Sequence, residues 1–277
     1  MASIKSAIKL ALPPIFFRLL TRYRESPQEI IMWNGRYNSY EEALTNSEGY
    51  NSPAIFEKVI TGVRKVKAGE AAFERDSVVF ETMQYNWPLL ASLLRLATRN
   101  DGKLHIVDFG GSLGSTYFQC RNFLSGIKNL QWSVVEQKHF IDFAAEFESE
   151  QLKFYYSIQD AQSRQAIDVI LFSSVLQYLP DPVKLIQQVK ACEIPFIILD
   201  RTAFAEGTRE MWTVQSVHEP IYEASYPAYF FTESGLIKRF EPEYQKAYEF
   251  ENGITGRRLV EGIQCKWTGL VLEQALV

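Results

Sequence analysis

Residues 106–115, IVDFGGSLGS, bring an acid, three glycines and two serines to the end of a short apolar run. The order is Asp108-x-Gly110-Gly111-Ser112-x-Gly114. Glycines placed after a strand let the backbone approach a ligand closely, and a helix that follows presents free N–H groups. The spacing sorts the ligands. A P-loop requires GxxxxGK[ST], and no lysine follows Gly114. A dinucleotide fingerprint begun at Gly110 requires glycines where Ser112 and Ser115 stand. A carboxylate at Asp108 is poorly placed beside a pyrophosphate, because like charges repel in a partly desolvated site. It suits a ligand that carries positive charge. Glu136 closes the next apolar run, Trp132–Val135, where a carboxylate can accept both hydroxyls of a ribose. S-adenosylmethionine, a nucleoside with an ammonium, a sulfonium and no phosphate, meets both conditions.

These groups need a scaffold. From about residue 103, short apolar runs (Leu104–Phe109, Trp132–Val135, Lys153–Tyr156, Val169–Phe172, Phe196–Leu199) alternate with helical stretches such as 115–125, 138–150 and 182–192. That alternation predicts an α/β fold with a parallel sheet covered on both faces. Ligands of such sheets bind beyond the carboxyl ends of the strands. Gln245–Phe250 and Cys265–Leu272 predict a terminal strand pair, an antiparallel edge on the parallel sheet. Residues 1–100 read as a mainly helical N-terminal extension or cap, with helical spacing at 53–68 and 86–98. The charged triplet Glu74-Arg75-Asp76 lies between them and either folds over the site or solvates a helix. The expected division is 1–100 and 101–277.

With 47% hydrophobic and 22% charged residues, the chain can bury a full core, which excludes overall disorder. A net charge of −4 lacks the basic footprint of a nucleic-acid binder. Cys120, Cys192 and Cys265 are far apart, so neither a disulfide framework nor a zinc site is expected. A reducing, cytoplasmic setting follows. The three histidines are scattered and predict no metal centre. No apolar run has transmembrane length. Residues 1–24 carry Lys5, Lys9, Arg18, Arg22 and Arg24 among apolar residues and no acid. Both an interfacial segment touching a membrane surface and a helix packed on the protein's own body fit that pattern.

At the Asp108–Gly114 loop the chain resembles class I S-adenosylmethionine-dependent methyltransferases, whose pattern is hydrophobic-Asp-x-Gly-x-Gly-x-Gly, with Ser112 in the second glycine position. The resemblance continues through Val134-Val135-Glu136 and through residues 168–179, DVILFSSVLQYL, and covers roughly 103–277. It implies a Rossmann-like, seven-stranded, mostly parallel sheet with a reversed seventh strand. More narrowly, WNGRY at 33–37, Gly49-Tyr50, Glu74-Arg75-Asp76, DFGGSLGSTY, SSVLQYLPDP, LDRTAF and Tyr226-Pro227 resemble a methyltransferase family found among bacterial surface-polysaccharide biosynthesis proteins. By that resemblance Asp108, Gly110, Ser112 and Gly114 hold the methionine end of the cofactor, beside Gly111, and Glu136 holds the ribose. Ser157 and Ile158 lie near adenine, and Ser173 and Ser174 lie beside the ligand. Asp168, at the opposite end of its strand, is structural. A small-molecule or glycan-precursor acceptor, methylated at oxygen or nitrogen, is implied.

Methyl transfer is an in-line displacement, so proximity and alignment dominate, and a hydroxyl acceptor also needs a base. Asp200, after the fifth run, and His218, in the stretch 211–227 read as a loop, are the catalytic candidates. Their structural alternatives are an ion pair with Arg201 and a solvated loop histidine. Trp33, Tyr37 and Tyr85 are candidates for an acceptor pocket or for core packing. Two other functions fit less well: a non-catalytic cofactor-binding module, and a nicotinamide oxidoreductase, which the glycine spacing disfavours.

Overall fold

The computed structural model describes residues 30–48, 53–219, 221–251 and 256–275. The basic segment 1–24 and Gly49-Tyr50 lie outside the described residues. The described residues open with β1 (Ile31–Tyr37), α1 (Tyr40–Thr45), α2 (Pro53–Ala68), the short hairpin β2 (Phe73–Arg75) and β3 (Val78–Phe80), and α3 (Trp87–Arg99). The alternating region follows: β4 (Lys103–Phe109), α4 (Ser115–Cys120), β5 (Asn129–Val135), α5 (Lys138–Ala144), β6 (Leu152–Tyr155), α6 (Ile158–Arg164), β7 (Val169–Ser173), α7 (Pro182–Ala191) and β8 (Phe196–Ala205). The chain ends with β9 (Met211–Val217), β10 (Ala224–Phe230), α8 (Glu233–Phe240), β11 (Tyr244–Phe250), β12 (Arg257–Val260) and β13 (Ile263–Gln274).

The main sheet has the order β11-β13-β8-β7-β4-β5-β6, with β12 appended to β13. Strands β4 to β8 pair in parallel, while β13 is antiparallel to both β8 and β11. The fold is therefore the expected α/β sheet with an antiparallel region at one edge, the reversed strand lying just inside β11. The central strands are buried on both faces, which is why they read as unbroken apolar runs. One core layer packs Leu89, Leu93 and Leu96 of α3 against Ile106 and Trp132. The other gathers Ile170, Ile197, Ile186 and Leu236. At the far end of the sheet Asp168 accepts the His105 backbone N–H (2.7 Å) and the Asn100 amide (2.9 Å). It braces two strand ends, a structural role.

Two expectations need correction. Residues 211–227 are not a loop: β9 and β10 form a hairpin, and β1 pairs antiparallel with β9 to make a second sheet of order β1-β9-β10. Pro227 argues against a strand, but β10 is an edge strand, where a missing N–H costs no ladder bond. Among the described residues before 100 helix predominates, as expected, with β1, β2 and β3 interspersed, and β1 belongs to a sheet built largely from the other half of the chain. The helices predicted over 115–125 and 138–150 stop early, at Cys120 and Ala144. Among the described residues no helix is long and apolar enough to cross a membrane.

Candidate cofactor and acceptor site

The turn after β4 sits at the carboxyl edge of the sheet. Gly110 has φ +71° and donates its N–H to the Val135 carbonyl at 2.9 Å, which ties the turn to the end of β5. A Cβ there would meet Val175 at 2.6 Å, and one on Gly111 would meet the Asp108 carboxyl carbon at 2.6 Å. The turn thus lies directly on the Asp108 side chain. Gly114, at φ +87°, leads into α4. Ser112, at φ +54°, donates its N–H to Glu136 Oε1 (3.2 Å), yet its own hydroxyl is buried without a partner.

Asp108 is 1% exposed and accepts a hydrogen bond from Trp132 Nε1 at 3.1 Å. Burial pushes its pKa up to about 7. The structure puts it underneath the turn, with the Gly111 backbone laid over its carboxyl group. Glu136 accepts the N–H groups of Ser112 and Gln137 (2.6 Å for the second), and burial pushes it up to about 6. A third carboxylate arrives from the N-terminal region. Glu74 of β2 accepts the Ser115 hydroxyl and the Ser77 N–H (2.7 Å), and burial pushes it up to about 7. Gly62 of α2 makes room for it, since a Cβ there would lie 2.8 Å from Glu74 Cγ. Of the charged triplet, Glu74 thus meets the start of α4, and Arg75 lines the cleft beside the turn.

Beside the turn is a narrow cleft lined by Arg75, Asn86, Leu89, Thr116, Gln119, Ser173, Asp200 and Arg201. Asp200 is fully buried. Its Oδ2 accepts from Asn86 Nδ2 (3.1 Å) and Ser173 Oγ (2.7 Å). Arg201 Nε lies 3.4 Å from the same oxygen, close enough for an ion pair but too misaligned for a hydrogen bond. The Arg201 guanidinium also donates to Ser173 Oγ at 3.0 Å. Ser174, at φ +57°, donates its N–H to the Asp200 carbonyl. Asn86 also caps α3, accepting the Leu89 N–H at 3.3 Å. Nothing in the sequence shows that its amide also reaches Asp200.

The other candidates are spread more widely. Ser157 caps α6, accepting the Asp160 N–H (3.1 Å) and donating to its carboxylate (2.7 Å). Ile158 is buried in the core layer that holds Val107 and Val135. His218 is not in the cleft. It lies at the surface, hydrogen-bonded to Glu223 at 2.9 Å. The reason is the unexpected hairpin: His218 follows the last residue of β9 and so stands at the rim of the second sheet. Trp33 packs against Phe230 and Trp267, while Tyr85 joins the exposed Trp87 and Phe123. A polar chain runs from Tyr178 through Gln215 (3.0 Å) to Tyr226 (3.1 Å) and Tyr222 (3.2 Å), three of its four members from the stretch 211–227.

A scan against protein-family models finds no match, and a search of curated proteins finds none either. Solved structures do align. The N-terminal domain of EvdMO1, determined in the presence of SAH and D-fucose, is 14% identical over 77% of this chain and 95% of that one, with a TM-score of 0.47. An amino pentose methyltransferase from Micromonospora echinaspora, bound to SAM, is 10% identical over 69% and 92%, with a TM-score of 0.40. A S-adenosylmethionine-dependent methyltransferase from Clostridium acetobutylicum is 9% identical over 79% and 98%, with a TM-score of 0.41. Likeness at this level transfers no activity.

Proposed function

We propose that the protein is an S-adenosylmethionine-dependent methyltransferase whose cofactor lies across the turn 110–114. The observation that supports this reading is the acid-lined turn. Asp108, Glu136 and Glu74 surround it, and the buried Ser112 hydroxyl has no partner within the protein. Such a cradle fits a cationic nucleoside and repels a pyrophosphate. The backbone of Gly110, Gly111, Ser112 and Gly114 would face the cofactor, with Glu136 toward its ribose hydroxyls. Ser157 and Ile158 would stand on the adenine side and Ser173 on the methionine side. When bound, the cofactor supplies an activated methyl group. The chain's own contribution is alignment and the exclusion of water. Asp200, held by Asn86, Ser173 and Arg201, orients the groups of the cleft in this reading.

The acceptor we propose is a sugar or glycan precursor, the class implied by the sequence resemblance. Titration calorimetry with S-adenosylhomocysteine, NAD and NADP tests the cofactor. S-adenosylhomocysteine is expected to bind; binding of a nicotinamide dinucleotide alone would overturn the proposal. Glu136→Ala is expected to weaken S-adenosylhomocysteine about tenfold, as loss of charge-assisted hydrogen bonds predicts. Unchanged affinity would remove Glu136 from the site.

A further inference from the structure

We infer that the groove between the loop after β8 and the helix α8 is an anion site, separate from the cofactor turn, that takes a diphosphate ester. Arg209 and Glu210 stand on the loop side, and Thr232, Gly235, Lys238 and Arg239 on the helix side. The first support is an uneven charge balance. Arg239 donates to Glu210 Oε1 at 2.8 Å and also to its second oxygen. Glu210 accepts the Tyr229 hydroxyl (2.8 Å) and the Thr232 N–H (3.2 Å) as well, so this acid is fully engaged. The other acids of the two wall segments, 206–210 and 232–239, are met outside the groove. Glu206 pairs with Arg257 (3.1 Å), and Glu233 pairs with Lys246 (2.8 Å) and Lys266 (3.0 Å). Arg209 and Lys238 are exposed, and among the described residues neither has an ion pair or a hydrogen bond. Two positive charges are therefore left over along one groove.

The second support is a built frame. The Ala205 N–H donates to the Phe231 carbonyl at 2.7 Å, and the Phe231 N–H donates to the Ala203 carbonyl at 3.1 Å, so the two walls are tied together at their base. Glu210 can lie against α8 because Gly235 has no side chain. A Cβ there would meet Glu210 Oε1 and the Thr232 hydroxyl, each at 2.5 Å. Glycine inside a helix is unfavourable, and here it leaves the helix surface low enough to form the groove. The third support is size. The groove holds ≈ 650 Å³, within the roughly 300–1,000 Å³ of small-molecule sites. Single contacts between exposed charges are weak, so a monoanion would gain little from either cation. A diphosphate offers several charged oxygens to Arg209 and Lys238 together, and a guanidinium fork matches phosphate oxygens. The remaining volume suits the organic part of an ester. The site is distinct from the cleft, because β8 runs on from Asp200 to Ala205, about 16 Å of extended chain.

The test is calorimetry on the full chain, without divalent metal, using inorganic pyrophosphate, uridine diphosphate and geranyl diphosphate. Pyrophosphate is expected to bind, and to bind about fivefold more weakly when salt is raised from about 50 to about 300 mM. Lys238→Glu is expected to weaken it about tenfold or more, as is Arg209→Ala combined with Lys238→Ala, while Arg209→Lys keeps most of the affinity. Both positions are exposed, and thermal unfolding checks that each variant keeps its fold. Tighter binding of either ester than of pyrophosphate supports a seat for the organic part and tells a nucleoside source from a lipid one. Weaker binding of both esters overturns the ester assignment. Absence of pyrophosphate binding, or an unchanged affinity in Lys238→Glu, overturns the site. So does displacement of pyrophosphate by S-adenosylhomocysteine, which would put the anion at the cofactor turn. Pyrophosphate is read directly, so the result stands whether or not the cofactor reading holds.

Discussion

Gly111→Ala is expected to destabilise the protein by about 2 kcal/mol and to weaken S-adenosylhomocysteine about a hundredfold, equivalent to about 2.8 kcal/mol. The added methyl would lie 2.6 Å from the Asp108 carboxyl carbon and 2.7 Å from one of its oxygens. Neither side can yield cheaply. Asp108 is held from below by the indole of Trp132, itself fully buried, and the turn is pinned at Gly110 to β5 and at Ser112 to Glu136. The backbone must therefore rise, and it rises into the surface on which the ligand would lie. Gly111 does not have a positive φ, so the effect is one of space rather than backbone strain. Pairing Gly111→Ala with Asp108→Ala separates the two. The double variant is expected to recover much of the stability lost by Gly111→Ala alone, because the new methyl moves into the vacated volume. Urea unfolding of the four proteins measures that coupling. If Gly111→Ala keeps both its unfolding midpoint and its affinity, the packing argument fails.

The affinity for S-adenosylmethionine is expected to rise about tenfold per pH unit for each proton released, from about pH 6 to 7, and to level off above that. The groups responsible are Asp108 and Glu74, both held near 7 by burial, with Glu136 near 6. Because folding raises these pKa values above the unfolded ones of about 4, the stability they contribute is complete below about pH 4 and is lost as pH rises toward 7. A cation laid over the turn reverses the preference, favouring the carboxylates and expelling their protons. Calorimetry at pH 6.5 in phosphate and in a buffer of larger ionisation enthalpy should therefore give different binding enthalpies. Asp108→Asn should shrink the difference and flatten the pH profile. Affinity that stays constant from pH 5.5 to 8 would show that these acids do not sense the ligand.

Much of the scaffold was legible because burial on both faces writes itself into the chain as apolar runs. The runs predicted for β4, β5, β7 and β8 and for the terminal pair all fall within observed strands. The second sheet was hidden for two reasons. Pro220 and Pro227 interrupt 211–227, and β1 finds its partner far along the chain, which local pattern does not record. The turn and its acid could be read from spacing, but the position of Asp108 beneath it could not, because spacing does not show which face of the backbone a side chain supports. Arg75 and Asn86 were obscured differently: each has a sufficient local reason to be where it is, one in a charged triplet and one as a helix cap. Their meeting with Asp200 is purely tertiary.

The pairing of Ile31 with Val217 also sets an order of events during synthesis. A ribosome adding about 5–20 residues per second delivers β9 roughly 190 residues after the start of β1, so β1 waits on the order of 10–40 s for its partner. During that interval every strand from β4 to β8 emerges, and the parallel sheet can take shape before the antiparallel one closes. The waiting strand, IMWNGRY, carries Asn34, Gly35 and Arg36 in sequence, a polar break that makes it a poor template for pairing with another chain. Among the described residues, the earliest strand made is thus among the last to be locked in place, and its sequence suits it to the delay.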